Sequence, residues 1–278
     1  MKKMAVFNDI SGFGKCSLTA ALPIVSALGV QCCPVPTAVL SNQTGYPSYT
    51  HIPLTDSLTS YIDEWVKLGF KADSVLTGFL SDTRQADIIS QSIDRISRPD
   101  TLTSVDPVMA DDGIVYSSYS AALCKKVIDL TKKADIITPN LSELCILTDT
   151  GYKKLTAEAD SDSYYEMIAE KASRLINGRL KTVIVTGVKK DGCIANIIND
   201  NHSVTVIKSE LFGGSFSGTG DIFACIVTAE LTKGMSTAYA VKKASRFIEK
   251  AVRDSVRKGT DRNEGINFEK YIEALINE

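Results

Sequence analysis

Near the end of the chain, Gly218-Thr219-Gly220-Asp221 runs straight into the apolar stretch Ile222-Phe223-Ala224-Cys225-Ile226-Val227. Two glycines let backbone amides turn inward, and a helix starting there adds its positive end. Such a segment can cradle phosphate, or the charge that develops during phosphoryl transfer. Asp221 stands at the mouth of the cradle, where a carboxylate can take a proton from an attacking hydroxyl. The same tetrapeptide also meets the ordinary preferences of a turn and a helix start, so the residues alone leave both readings open. Asn140-Leu141-Ser142-Glu143 is equally two-sided. Its spacing is that of a capping box, and its oxygens suit a hydrated Mg2+ beside a polyphosphate.

Four polar pairs fall where strands should end: Asn8-Asp9, Asp106-Pro107, Pro139-Asn140 and Thr186-Gly187. Ligands of open α/β sheets bind outside the carboxyl ends of the strands, so four such placements point to one cleft. Asp106 either caps a turn or faces that cleft. The polar, irregular stretch 36–46, with Ser41, Gln43 and Thr44, is either a plain loop or a wall that reads a small polar ring. Two familiar phosphate loops are absent. No G-x-x-x-x-G-K-[ST] occurs, and Ser11-Gly12-Phe13-Gly14-Lys15-Cys16-Ser17 lacks the third glycine and the later acidic residue of a dinucleotide site.

The elements that must position these residues follow from hydrophobic pattern. Short aliphatic or β-branched runs at 4–8, 31–39, 74–77, 102–106, 135–138 and 182–186 read as buried strands. Helical patterns at 18–28, 55–68, 84–96, 118–132 and 164–177 alternate with them, and Trp65 looks like a core anchor of the second. That alternation predicts a three-layer α/β/α fold around a mostly parallel central sheet. Residues 193–198 and 203–208, about the turn-like Asn199-Asp200-Asn201, read as an antiparallel hairpin at one edge. Helices at 221–232, 236–258 and 268–276 close the chain. No repeat or linker interrupts it, so a single domain over 1–278 is expected.

Composition narrows the function. Lys and Arg total 31 against 33 Asp and Glu, a net charge of −2, which leaves no electrostatic footprint for nucleic acid or an anionic membrane. Only two histidines, His51 and His202, are present, too few for a multi-His metal centre. Seven cysteines without a C-x-x-C pair fit free, buried thiols in a reducing compartment. With no apolar run of membrane or signal-peptide length, a cytoplasmic protein is expected.

Together and in this order, these segments resemble the ribokinase-like superfamily and, within it, the pyridoxal/pyridoxamine (pyridoxine) kinase branch. The resemblance is carried by 36–46 (the S-N-x-T-x-Y loop), Gly78-Phe79, Asp106-Pro107-Val108-Met109, 139–143, Thr186-Gly187 and 218–221, which span nearly the whole chain. It implies transfer of the γ-phosphoryl group of ATP to the 5′-hydroxymethyl group of a B6 vitamer. By the same resemblance Asp221 is the base, and the Gly218, Thr219 and Gly220 amides form the anion hole. Asn140 and Glu143 orient Mg2+ and water, Asp106 lies near metal and phosphates, and Thr186 and Gly187 lie on the nucleotide side. Asp9, Ser41, Thr44, Phe79 and Tyr116 line the vitamer pocket. A homodimer and a monovalent cation such as K+ are also implied.

Three positions depart from the branch: Asp9 for a common serine, Gln43 for a ring-contacting histidine, and Phe79 for a hydroxyl-bearing aromatic. They touch the vitamer end, so kinase chemistry is better supported than the substrate. An Asp9 facing the ring would attract an amine and favour pyridoxamine; an Asp9 turned to an amide of the Ser11–Gly14 loop would not. Two alternatives stay open: a hydroxymethylpyrimidine kinase, and a catalytically silent nucleotide- or vitamin-binding regulator.

Overall fold

The computed structural model describes residues 1–200 and 203–277. Asn201, His202 and Glu278 lie outside the described residues, and with them part of the expected hairpin turn and one of the two histidines. The chain forms two compact units, 1–102 with 212–278, and 103–211.

The first unit begins with β1 (Lys3–Ser11), α1 (Ser17–Ala27), β2 (Gln31–Leu40), β3 (His51–Pro53), α2 (Thr55–Lys67), β4 (Ser74–Thr77) and α3 (Thr83–Ile96). Its strands run β4-β1-β2 in parallel, with β3 antiparallel beyond β2. Met4, Ala5, Val6 and Phe7 of β1 and all of β4 are fully enclosed, as their unbroken apolar or small-residue runs require. Helix α1 packs on β1 and β2, and α2 packs on β2 and α3. Trp65 is half-buried rather than a core anchor: α2 buries Thr55, Leu58 and Ile62, and the indole stacks between Tyr61 and Phe70.

The second unit holds β5 (Leu102–Val105), β6 (Ala110–Asp111), β7 (Ile114–Val115), α4 (Ala121–Thr131), β8 (Ile136–Ile137), α5 (Leu141–Leu147), α6 (Tyr152–Thr156), α7 (Tyr164–Ser173), β9 (Thr182–Lys190), β10 (Cys193–Asp200) and β11 (Val204–Glu210). Strands β5, β8 and β9 are parallel; β10 and β11 form the expected antiparallel hairpin, with β11 outermost. β9 runs past its predicted end at 186 because β10 pairs with it as far as Lys190.

The chain then returns to the first unit with α8 (Thr219–Thr232), α9 (Thr237–Arg257) and α10 (Ile272–Asn277). A buried ion pair fixes α8: Glu230, 1% exposed, accepts Lys243 of α9 at 3.0 Å, and Lys243 also donates to the Leu275 carbonyl. The fold is thus α/β, with a mostly parallel sheet flanked by helices. Among the described residues no helix is long and apolar enough to cross a membrane.

Candidate active site

Helix α8 starts on Gly218, whose backbone is left-handed (φ +80°). A Cβ there would stand 2.1 Å from the Lys15 carbonyl oxygen, so only glycine fits the approach. Gly218 supplies no side-chain cap, leaving the first amides of α8 without a side-chain partner. In that first turn, Asp221 accepts the Asn8 side-chain amide at 2.8 Å. Burial, with Asp9 nearby adding to it, pushes the Asp221 carboxyl up to about 6, against the pull of the Ser17 backbone and the Asn8 carboxamide. A carboxylate so held is ionised at neutral pH yet basic enough to take a proton.

Asn8 also receives the amides of Asp9 and Phe79 on its carbonyl oxygen, at 3.0 and 2.9 Å. Gly78 is required beside it, since a Cβ there would meet the Asn8 carboxamide at 2.6 Å. Asp9 is 4% exposed, and both its oxygens accept hydroxyls: Ser17 at 2.5 Å and Ser11 at 2.9 Å. These partners are hydroxyls, not the amides of the 11–14 loop. Phe79 sets its ring edge-on to His51, with centroids 6.4 Å apart.

Ser41 and Thr44 lie on an exposed loop, where Ser41 Oγ accepts the Thr50 amide. Gln43, the departure from histidine, is buried and knits this loop. Its Oε1 takes the Gly45 amide at 2.7 Å and its Nε2 donates to the Asn263 carbonyl.

The second unit gathers Asp106, Asn140, Glu143, Thr186 and Gly187. Asn140 caps α5 through the Glu143 amide, and Glu143 returns the bond, completing the capping box. Glu143 also accepts the amide of Met109 at 3.0 Å. It is 4% exposed; burial first, and Asp106 second, raise its carboxyl well above the ordinary range. Asp106 itself takes the Thr138 hydroxyl at 2.8 Å. Asn140 and Thr186 form a parallel bridge, which sets the Thr186-Gly187 bend beside the cap. Tyr116 belongs to this unit, surface-exposed against Tyr119. Among the described residues no three His, Cys, Asp or Glu side chains cluster as a metal cage. A buried carboxyl raised by a second carboxylate suits instead a hydrated divalent cation, which keeps much of its water.

The sequence places Asn8 at a strand end beside the cleft but gives it no role toward Asp221. A signal existed: a carboxamide inside an otherwise apolar strand must find partners.

An α/β sheet that presents an open helix start with a carboxylate in its first turn is equipped for phosphoryl transfer. The chain belongs to the phosphomethylpyrimidine kinase family, which it matches over residues 14–265, and to the pyridoxal kinase branch of the ribokinase-like superfamily; it is a phosphotransferase. A pyridoxine/pyridoxal/pyridoxamine kinase of Bordetella avium is 28% identical over 254 residues, covering 86% of this chain and 81% of its own. A phosphomethylpyrimidine kinase candidate from Bacteroides thetaiotaomicron, crystallised with pyridoxal, is 36% identical with a TM-score of 0.92, over 99% of this chain and 95% of that one. The pyridoxal kinase of Lactobacillus plantarum shares the fold at a TM-score of 0.88 and 23% identity, over 100% and 97% of the two chains.

Proposed function

We propose that this kinase moves the γ-phosphoryl group of ATP to the 5′-hydroxymethyl group of a B6 vitamer, with Asp221 as general base. The observation that carries the reading is the Asp221 carboxylate, held by Asn8 at the uncapped start of α8 with its carboxyl at about 6. Asp221 takes the hydroxyl proton as the new O–P bond forms, and the bond to the leaving ADP oxygen breaks. The amides of 218–220 face the charge on the transferring group, where fixed donors stabilise it most. Phe79, Ser41 and Thr44 belong to the acceptor end. Asn140, Thr186 and Gly187 serve the nucleotide, and Asp106 and Glu143 hold hydrated Mg2+, which when bound neutralises phosphate charge. Support for the acceptor class comes from the 36%-identical Bacteroides protein, which was crystallised with pyridoxal.

The family also carries a pyrimidine acceptor in its name, so hydroxymethylpyrimidine is the competing substrate. The test is incubation with MgATP and each of pyridoxal, pyridoxamine, pyridoxine and hydroxymethylpyrimidine, following ADP and the phosphorylated product. The reading expects a phosphorylated vitamer. Turnover of the pyrimidine alone contradicts it.

A further inference from the structure

We propose that Gln85 is a positioning residue for the acceptor end of the cleft: from inside the first unit it fixes the turn Phe79–Ser81 and so the place of the Phe79 ring. The inference rests on the reading of Phe79 as part of the acceptor wall and deepens it.

Gln85 lies in the first turn of α3, fully enclosed at 0% exposure. Both polar atoms of its carboxamide are bonded. Nε2 donates to the Thr37 carbonyl at 2.7 Å and to the Thr55 hydroxyl at 3.0 Å, and Oε1 accepts the Ser81 amide at 2.8 Å. One side chain thus joins β2, the start of α2 and the turn that precedes α3. Thr37, equally enclosed, carries the connection onward. Its hydroxyl donates to the Phe79 carbonyl at 3.0 Å, and its own carbonyl also takes the Leu54 amide at 2.9 Å. The Phe79 amide donates to Asn8 Oδ1 at 2.9 Å, and Asn8 Nδ2 donates to Asp221 Oδ1 at 2.8 Å. Phe79 is therefore held through its carbonyl by Thr37 and through its amide by Asn8, the residue that also holds Asp221. Ser81 adds a second grip, with its Oγ 2.9 Å from Nε2 of His51, whose ring stands edge-on to Phe79.

Helix α3 does not need this carboxamide in order to start. Asp82 already caps it, accepting the Arg84 and Gln85 amides at 2.8 and 3.1 Å, and takes the Thr55 hydroxyl at 2.6 Å besides. An apolar side chain of the same size would fill the enclosed position without a buried polar group to satisfy. A fully bonded buried network instead defines one arrangement of the elements it joins. Here that arrangement is of the Phe79–Ser81 turn against β2.

The test uses Gln85→Met, which keeps the length of the side chain and removes its three bonds. With MgATP and pyridoxal (or hydroxymethylpyrimidine, should that alone turn over), KM for the acceptor should rise about threefold to tenfold. KM for ATP should stay within about twofold of wild type. In a Phe79→Ala background the same substitution should move the acceptor KM by less than about twofold, because its effect passes through the ring already removed. Assays run well below the melting temperature of each variant, so lost stability alone moves neither KM. Should Gln85→Met not fold, Thr37→Val takes its place, since it keeps the shape of the side chain and removes only the hydroxyl bond to Phe79. Both KM values within about twofold of wild type, a rise in both alike, or an effect that persists undiminished beside Phe79→Ala overturns the proposal. Phe79→Ala by itself keeps the two readings apart. A raised acceptor KM there beside a silent Gln85→Met sinks only the role of Gln85. An unmoved acceptor KM in Phe79→Ala sinks Phe79 as acceptor wall and this inference with it.

Discussion

Asp221 and Glu143 are both acidic residues in the first turn of a helix, both pushed up by burial, and both beside a second carboxylate: Asp9 for one, Asp106 for the other. Their surroundings separate them. Glu143 is taken up by two backbone amides, Met109 and the Asn140 amide of its own capping box, so its oxygens hold α5 and the segment at Met109 in place. Asp221 spans no cap. It is gripped from the side by Asn8, at a helix start that its glycine N-cap leaves without a side-chain cap. The same local motif is tied into backbone in one unit and held by a single side-chain donor in the other. What distinguishes them is how many of the carboxylate's partners belong to backbone that must be held.

Removing the reactive carboxylate should have the largest effect. Asp221→Asn is expected to lower kcat by about 10²–10⁴, the usual contribution of a positioned base, measured as ADP release. The same change should stabilise the fold. A carboxyl raised from 3.8 to about 6 favours folding below its unfolded value, and that contribution is lost as pH rises through 6. The unfolding free-energy advantage of Asp221→Asn, read by denaturant titration, should therefore grow between pH 4 and pH 7, towards about 1–3 kcal/mol. An advantage that does not change with pH would place the ionisation elsewhere.

Two left-handed glycines extend the contrast. Gly218→Ala must drive a methyl into the Lys15 carbonyl, and should cost activity about a hundredfold as the cradle distorts. Gly187, at φ +71°, has no atom within 4 Å of an added Cβ. Gly187→Ala should therefore lose only about 1–2 kcal/mol from its backbone, read by denaturant unfolding. Equal damage at both positions would remove the argument for close approach at Gly218.

Much of this scaffold was readable from pattern, and the reasons for the remainder are physical. Residues 74–77, 55–68 and 84–96 were placed within a residue or two because a buried strand and two amphipathic helices carry strong periods. The two-residue strands β6 and β7, the three-residue β3 and the single-turn α6 carry no period to detect. At the site, spacing marks Asp221, Asn140 and Glu143 as candidates, whereas Asn8, at the end of an apolar strand, carries no spacing that would give it a role.

Smaller effects follow for Asn8 and Glu143. Asn8→Ala should lower kcat by about tenfold through loss of one donor to Asp221. Its KM for ATP should stay near wild type; a large rise in KM would move Asn8 to the nucleotide. Glu143→Gln should destabilise by about 1–3 kcal/mol in thermal unfolding, because its NH2 would face amide donors that now meet oxygen. The Mg2+ concentration for half-maximal activity should rise severalfold in the same variant. Lost stability with an unchanged Mg2+ titration would make Glu143 purely structural.

The kcat–pH profile of wild type against Asp221→Asn, with pyridoxal and saturating MgATP, bears most directly on the assignment of Asp221 as base. The wild type should lose turnover below a limb at about 6, as Asp221 takes up its proton. The residual activity of Asp221→Asn should run flat through that range. A limb that survives unchanged in Asp221→Asn would contradict the account, because the titrating base would then be another group.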